Sequence, residues 1–138
     1  MRDIELEMKI QKSLNEGNNV WVVGDVHGFN QTLRSLVAKL EIKTDDYVVL
    51  LGDLIDRGPD SYDVIQFVKS SPNMATVKGN HENMMAKVFS LSRLEKPDLR
   101  ISTWFYNGGL STATSYINAY TDSSGKENTQ ELHQAIER

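Results

Sequence analysis

The chain has 138 residues, with 15 Lys and Arg against 19 Asp and Glu, giving a formal net charge of −4. That length bounds it to one domain, and an acidic balance with scattered cations offers no basic footprint for a nucleic-acid backbone. Cysteine is absent, which excludes a disulfide scaffold and thiolate metal sites and fits a reducing, cytoplasmic compartment.

The N-terminus, Met1-Arg2-Asp3-Ile4-Glu5-Leu6-Glu7, mixes both charges and lacks the apolar core of a signal peptide. Apolar residues at Ile4, Leu6, Met8, Ile10 and Leu14 predict a lead-in helix. Three β-branched or apolar runs then stop at glycine: Val20-Trp21-Val22-Val23 before Gly24, Tyr47 to Leu51 before Gly52, and Met74 to Lys78 before Gly79. They read as buried strands. The longest of the aliphatic or aromatic runs, Tyr47 to Leu51, falls far short of the roughly 20 residues of a membrane helix, so no membrane partner is expected.

Between the strands, Leu33, Leu36, Val37 and Leu40 have helical spacing behind Asn30 as a cap, and Pro59-Asp60-Ser61 starts a second helix carrying Tyr62, Ile65 and Val68. Strand, crossover and strand predict an α/β fold with parallel neighbours, which brings the glycine-ended loops to one edge of the sheet. Met84, Met85, Val88 and Phe89 suggest a further helix, broken at Lys96-Pro97-Asp98. Trp104 to Gly109 reads as a turn, residues 111–120 as a helix, residues 122–125 as a loop, and a last helix is expected from Asn128 with Glu131 closing its capping box.

The three loops read Gly24-Asp25-Val26-His27-Gly28, Gly52-Asp53-Leu54-Ile55-Asp56-Arg57-Gly58 and Gly79-Asn80-His81-Glu82. Carboxylate, carboxamide and imidazole without thiolate form a mixed N/O donor set suited to manganese, iron or zinc. A single Gly-Asp is ordinarily only a turn, but three such loops converging on one edge exceed turn chemistry. Arg57, beside the carboxylate loop, suits a bidentate grip on phosphate, and His81, beside Asn80, suits proton transfer.

These loops resemble the signature G-D-x-H-G, G-D-x-x-D-R-G, G-N-H-E of the calcineurin-like metallophosphoesterases, in the branch that includes the Ser/Thr protein phosphatases. The resemblance covers roughly residues 20–85, and Asn107-Gly108-Gly109 with Ser115-Tyr116 is similar to a segment of microbial members. It implies the N-terminal half of an α/β/β/α sandwich, so residues 1–138 are expected to form a single, incomplete metallophosphoesterase domain. It also implies two divalent ions, manganese favoured over iron or zinc: Asp25 and His27 on the first, Asp53 bridging, Asn80 on the second. By the same resemblance Arg57, Asn80 and His81 bind substrate, and His81, oriented by Asp56, gives a proton to the leaving alkoxide.

Family members draw further metal-binding histidines, and usually another phosphate-binding arginine, from a C-terminal half forming a second sheet. Here the histidines are His27, His81 and His133, and His133 lies in a helical pattern without a strand-end glycine. The second metal site is therefore expected to be empty or labile, and one sheet face uncovered and open to self-association, as in a fragment of a longer phosphatase. The leading expectation is an enzyme that hydrolyses phosphoserine or phosphothreonine in proteins, or a small phosphoester. Arg57-Gly58-Pro59-Asp60-Ser61 is also similar to symmetrical dinucleoside tetraphosphate hydrolases, but those carry Asp after Asn-His where this chain has Glu82. A catalytically silent metal-binding remnant is a third reading. A plain nucleotide-binding domain lacks support, since neither G-x-x-x-x-G-K-[ST] nor G-x-G-x-x-G occurs.

Overall fold

In a computed structural model, which describes residues 3–90 and 97–121, three short parallel strands carry the chain back and forth beneath helical crossovers. Strands β1 (Val20–Val23), β2 (Tyr47–Leu50) and β3 (Met74–Thr76) lie in the order β1-β2-β3. Val22 pairs with Val49, and Val49 with Ala75. Helix α1 (Ile4–Asn15) precedes the sheet, capped by the Asp3 carboxylate, which accepts the Leu6 N–H at 3.0 Å. Helices α2 (Asn30–Lys39) and α3 (Ser61–Ser70) make the two crossovers. Parallel strands need such crossovers, and the result is the α/β class expected from the sequence. The last helix expected from Asn128, the loop at 122–125 and His133 lie outside the described residues.

The strands are less buried than the sequence reading expected, with β1 carrying no fully buried residue. Val48 and Leu50 are fully buried and pack with Leu54, Ile55, Val64 and Leu33. The other face is covered unevenly: Val22 in β1 is 61% exposed, and Leu51 and Val77, just past the ends of β2 and β3, are 54% and 53% exposed, whereas Val49 is half-buried and its neighbour Ala75 is buried. The expected uncovered apolar face is therefore present in part among the described residues, and the main hydrophobic cluster lies on the side of α2 and α3.

Two local expectations also change. Asn30 is not the cap of α2. Phe29 occupies that position without a side-chain bond, and Asn30 Oδ1 instead accepts Arg34 Nε at 3.1 Å from inside the helix. The segment read as a turn at Trp104 to Gly109 joins helices rather than ending one. Helix α4 (Asn80–Ser90) is followed by α5 (Pro97–Trp104), a kinked turn (Phe105–Gly109) and α6 (Leu110–Ala119). The kink falls at Gly108, whose φ of 103° is open to glycine and strained for other residues. Pro97 suits the first position of a helix, where its missing N–H is not needed. Among the described residues, no helix is long and apolar enough to cross a membrane.

Candidate active site

The loops that follow β1, β2 and β3 meet at one edge of the sheet and are tied together by backbone hydrogen bonds. Asp53 O accepts the N–H groups of Val26 and His27 at 3.0 and 2.9 Å, and Leu54 O accepts Gly28 N–H at 2.7 Å. Gly52, at φ 87°, lies so close to Gly79 that a Cβ on it would collide with that residue's backbone. Between these two loops stands Glu82, in the first turn of α4. Its carboxylate accepts the N–H groups of Asp53 (2.9 Å), Leu54 (2.8 Å), Ile55 (3.3 Å) and Gly79 (2.8 Å).

These ties hold an unusual backbone. His27, Asp53, Asp56 and Arg57 all have positive φ, at 47°, 51°, 72° and 69°. A left-handed conformation costs a residue with a Cβ about 1–2 kcal/mol. The interloop bonds and the Glu82 carboxylate offset that cost, and the conformation turns four functional side chains toward one point.

His27 is buried and its Nδ1 lies 2.9 Å from the Ile55 carbonyl, so Nδ1 carries the proton and Nε2 presents a lone pair. This is the arrangement that holds a metal-binding imidazole in place. Ligand atoms of His27, Asp53 and His81 lie within 4.8 Å of one another. Asp25, exposed at the rim, has a carboxylate oxygen 3.5 Å from His27 Nε2 but stands outside that tight group. The Asn80 amide, oriented by its neighbours, donates to Asp53 at 2.8 Å. Imidazole nitrogen, carboxylate and carboxamide oxygen thus sit together with a fixed tautomer, and this donor set fits a divalent transition metal.

Arg57 spans the two imidazoles. Its guanidinium donates to His27 Nε2 at 2.9 Å and to His81 Nε2 at 3.3 Å, and the rings stand edge to face with centroids 4.7 Å apart. The N–H of Arg57 itself donates to Gly108 O at 3.1 Å, and a Cβ on Gly108 would press on Arg57. The kinked turn therefore backs the arginine.

Behind His81 is a fully buried carboxylate. Asp56 Oδ2 accepts His81 Nδ1 at 2.7 Å, and Trp104 Nε1 donates to both Asp56 oxygens at 3.1 and 3.0 Å. Thr112 Oγ1 donates to Asp56 Oδ1 at 2.7 Å while accepting the Asp56 N–H at 2.8 Å, and Ser61 Oγ lies 2.9 Å from the Thr112 hydroxyl. The pairing of His81 with Asp56 expected from the resemblance is formed. The sequence reading missed Glu82 as a loop clamp, and Trp104 and Thr112 altogether. For the last two the available signal was a tryptophan followed by Asn-Gly-Gly, which reads locally as a turn.

The calcineurin-like phosphoesterase family matches residues 19–135. Relatives include Serine/threonine-protein phosphatase 2 of Escherichia coli K12, 43% identical over 72 residues, covering 51% of this chain and 33% of that protein. Serine/threonine-protein phosphatase 1 of Salmonella typhimurium LT2 is 38% identical over 112 residues, or 79% of this chain and 46% of the relative. The symmetrical bis(5'-nucleosyl)-tetraphosphatase of Serratia proteamaculans is 37% identical over 86 residues, covering 61% and 30%. The chain thus spans less than half the length of each of these relatives. With the family matching most of its length and the three loops assembled at one sheet edge, the chain belongs to the calcineurin-like phosphoesterase family.

Proposed function

We propose that this chain carries the catalytic loops of a metal-dependent phosphoester hydrolase acting on phosphoserine and phosphothreonine in proteins. The observation that carries the reading is the meeting of His27, Asp53 and His81, with ligand atoms inside 4.8 Å, under the Arg57 guanidinium. In this reading Asp25, His27 and Asp53 would hold a first divalent ion, and Asp53 with Asn80 would offer a weaker place for a second. The N/O donor set suits manganese, with iron or zinc as alternatives. When bound, such ions supply Lewis-acid charge for the phosphoester oxygens and an acidified water.

The remaining work falls to the chain's own groups. Asp56 keeps the His81 proton on Nδ1, so a second proton on Nε2 points at the site. Once Nε2 carries that proton it no longer accepts from Arg57, and the guanidinium is released to fork onto phosphate oxygens. As the P–O bond to the alkoxide breaks, Nε2–H passes to the leaving oxygen, while a water oxygen bonds to phosphorus and its proton goes to bulk solvent. The absence of cysteine is in keeping with a reducing cytoplasm.

Symmetrical hydrolysis of a dinucleoside tetraphosphate is the second reading, favoured by relatives of that name. The protein phosphatase reading is preferred because Glu82, not Asp, follows Asn-His, and because the phosphatase match extends over 112 residues against 86. The test is manganese-dependent hydrolysis of p-nitrophenyl phosphate by the purified chain, with Asp53→Asn as control, followed by a phosphopeptide and a dinucleoside tetraphosphate in parallel. Activity lost in the variant and greater on the phosphopeptide supports the proposal. No activity above the variant overturns it for this chain, and preference for the dinucleotide overturns the substrate class.

A further inference from the structure

We infer that Trp104 and Thr112 are positioning residues for the His81–Asp56 pair, and that they fix which substrates the site can cleave. The inference rests on the hydrolase reading above for its substrate consequence, but its structural part stands on the network itself. An aspartate carboxylate rotates easily about its last bond, where the torsional preference is broad. Asp56 cannot do so. The Trp104 indole N–H bridges both of its oxygens, and the Thr112 hydroxyl anchors Oδ1, so that Oδ2 is the oxygen left for His81.

The bridge is built rather than incidental. Trp104 and Thr112 are both buried, and Asp56 is completely enclosed with no lysine or arginine against its carboxylate among the bonds that hold it. A buried anion without a full set of donors is costly, and here three neutral or imidazole donors take the place of water. Gly109 makes the approach of the indole feasible, since a Cβ there would collide with the Trp104 ring. The carboxylate can only accept, so Thr112 Oγ1 donates to it, and Ser61 Oγ, 2.9 Å away, completes the set by donating to the Thr112 oxygen.

Holding Oδ2 on His81 Nδ1 secures the tautomer in which Nε2 faces substrate. Proton donation matters most for a leaving oxygen that departs poorly as an anion, such as the alkoxide of serine or threonine, and least for p-nitrophenolate. The two supporting side chains should therefore decide whether unactivated esters are cleaved, with little effect on activated ones.

The test uses Trp104→Phe and Thr112→Val, with Thr112→Ser as the conservative rescue. In the full chain, the His81 Nδ1–H signal is followed by 15N-resolved NMR, assigned by its loss in His81→Gln. With manganese, turnover is measured on phenyl phosphate and p-nitrophenyl phosphate. The expected result is weakening or loss of the Nδ1–H signal in Trp104→Phe and in Thr112→Val alike, with about a hundredfold loss on phenyl phosphate and little on p-nitrophenyl phosphate. Thr112→Ser restores both readouts. If Trp104→Phe fails to fold, the isosteric Thr112→Val and its serine rescue decide the matter. An unchanged His81 signal, or equal losses on both esters, overturns the inference. A wild-type chain inactive on both esters, but with an Nδ1–H signal that Thr112→Val abolishes, supports the positioning role and overturns the hydrolase reading instead.

Discussion

The Glu82 carboxylate reaches from the first turn of α4 to the Asp53 N–H, 2.9 Å away, and thereby fastens the loop after β2 to the loop after β3. Four backbone donors converge on this one side chain. Bonds to a charged partner contribute about 1.5–3 kcal/mol each when removed singly. Glu82→Gln should lower stability toward urea by about 2 kcal/mol, since one acceptor oxygen is exchanged for a donor facing N–H groups. Glu82→Asp, one methylene shorter, should lose part of the clamp and weaken manganese binding more than it lowers the unfolding midpoint. Isothermal titration beside urea melts measures both, and equal wild-type values for Glu82→Gln would refute the clamp.

Arg57 is expected to act on phosphate and not to help hold metal, because its N–H groups occupy the same His27 and His81 nitrogens that a ligand would use. Arg57→Ala should bind manganese at least as tightly as the wild type while losing about tenfold or more in kcat/KM, the equivalent of about 1.4 kcal/mol. Arg57→Lys should recover little, since a point charge cannot reproduce the fork. Manganese titrations and steady-state kinetics on the same preparations decide this.

Asp46 links acid stability to the start of the sheet. It is buried, and the N–H groups of Lys43 (3.0 Å) and Asn19 (2.8 Å) hold its carboxyl below the usual carboxylate range in spite of that burial. A lowered value in the folded chain means that the stabilisation is complete above the unfolded value of about 3.9 and is lost as pH falls below it. The wild-type urea midpoint should therefore drop as pH falls from about 5 to 3. Asp46→Asn should start lower at neutral pH and show a shallower acid decline. Identical slopes for the two proteins would remove Asp46 from the explanation.

Leu50 and Leu51 are neighbours with opposite fates, one fully buried and the other 54% exposed. Leu50→Ala should cost about 2–5 kcal/mol through lost burial and the cavity it leaves. Leu51→Ala should cost no more than about 0.5 kcal/mol. Paired urea melts test the contrast, and similar losses at both positions would mean that the outer face is covered in solution.

The order and type of the central elements were legible because each strand is short, apolar and closed by glycine, and because Leu33, Leu36 and Val37 keep a helical period. The loop residues were legible for the same local reason, since Asp25, His27, Asp53, Asn80 and His81 all sit within a few residues of a strand end. Two kinds of feature were not. Asn30 has the chemistry of a cap, but its side chain found Arg34 four residues on, a competition that spacing alone does not resolve. Trp104 and Thr112 meet Asp56 across 48 and 56 residues, so their role exists only after the chain has folded back.

The kink at Gly108 sets a phase constraint on this chain. In an uninterrupted α-helix, residues eight apart stand about 12 Å apart along the axis and roughly 80° out of step. Trp104 and Thr112 nevertheless reach the same carboxylate, because the wide turn at residues 105–109 and the kink at Gly108 reset the helix between them. Removing a single residue from that turn would leave two well-formed helices and rotate Thr112 by about 100° away from its partner. A one-residue deletion between Trp104 and Thr112 should therefore disturb the Asp56 network of this chain more than the same deletion before Trp104 or after Thr112.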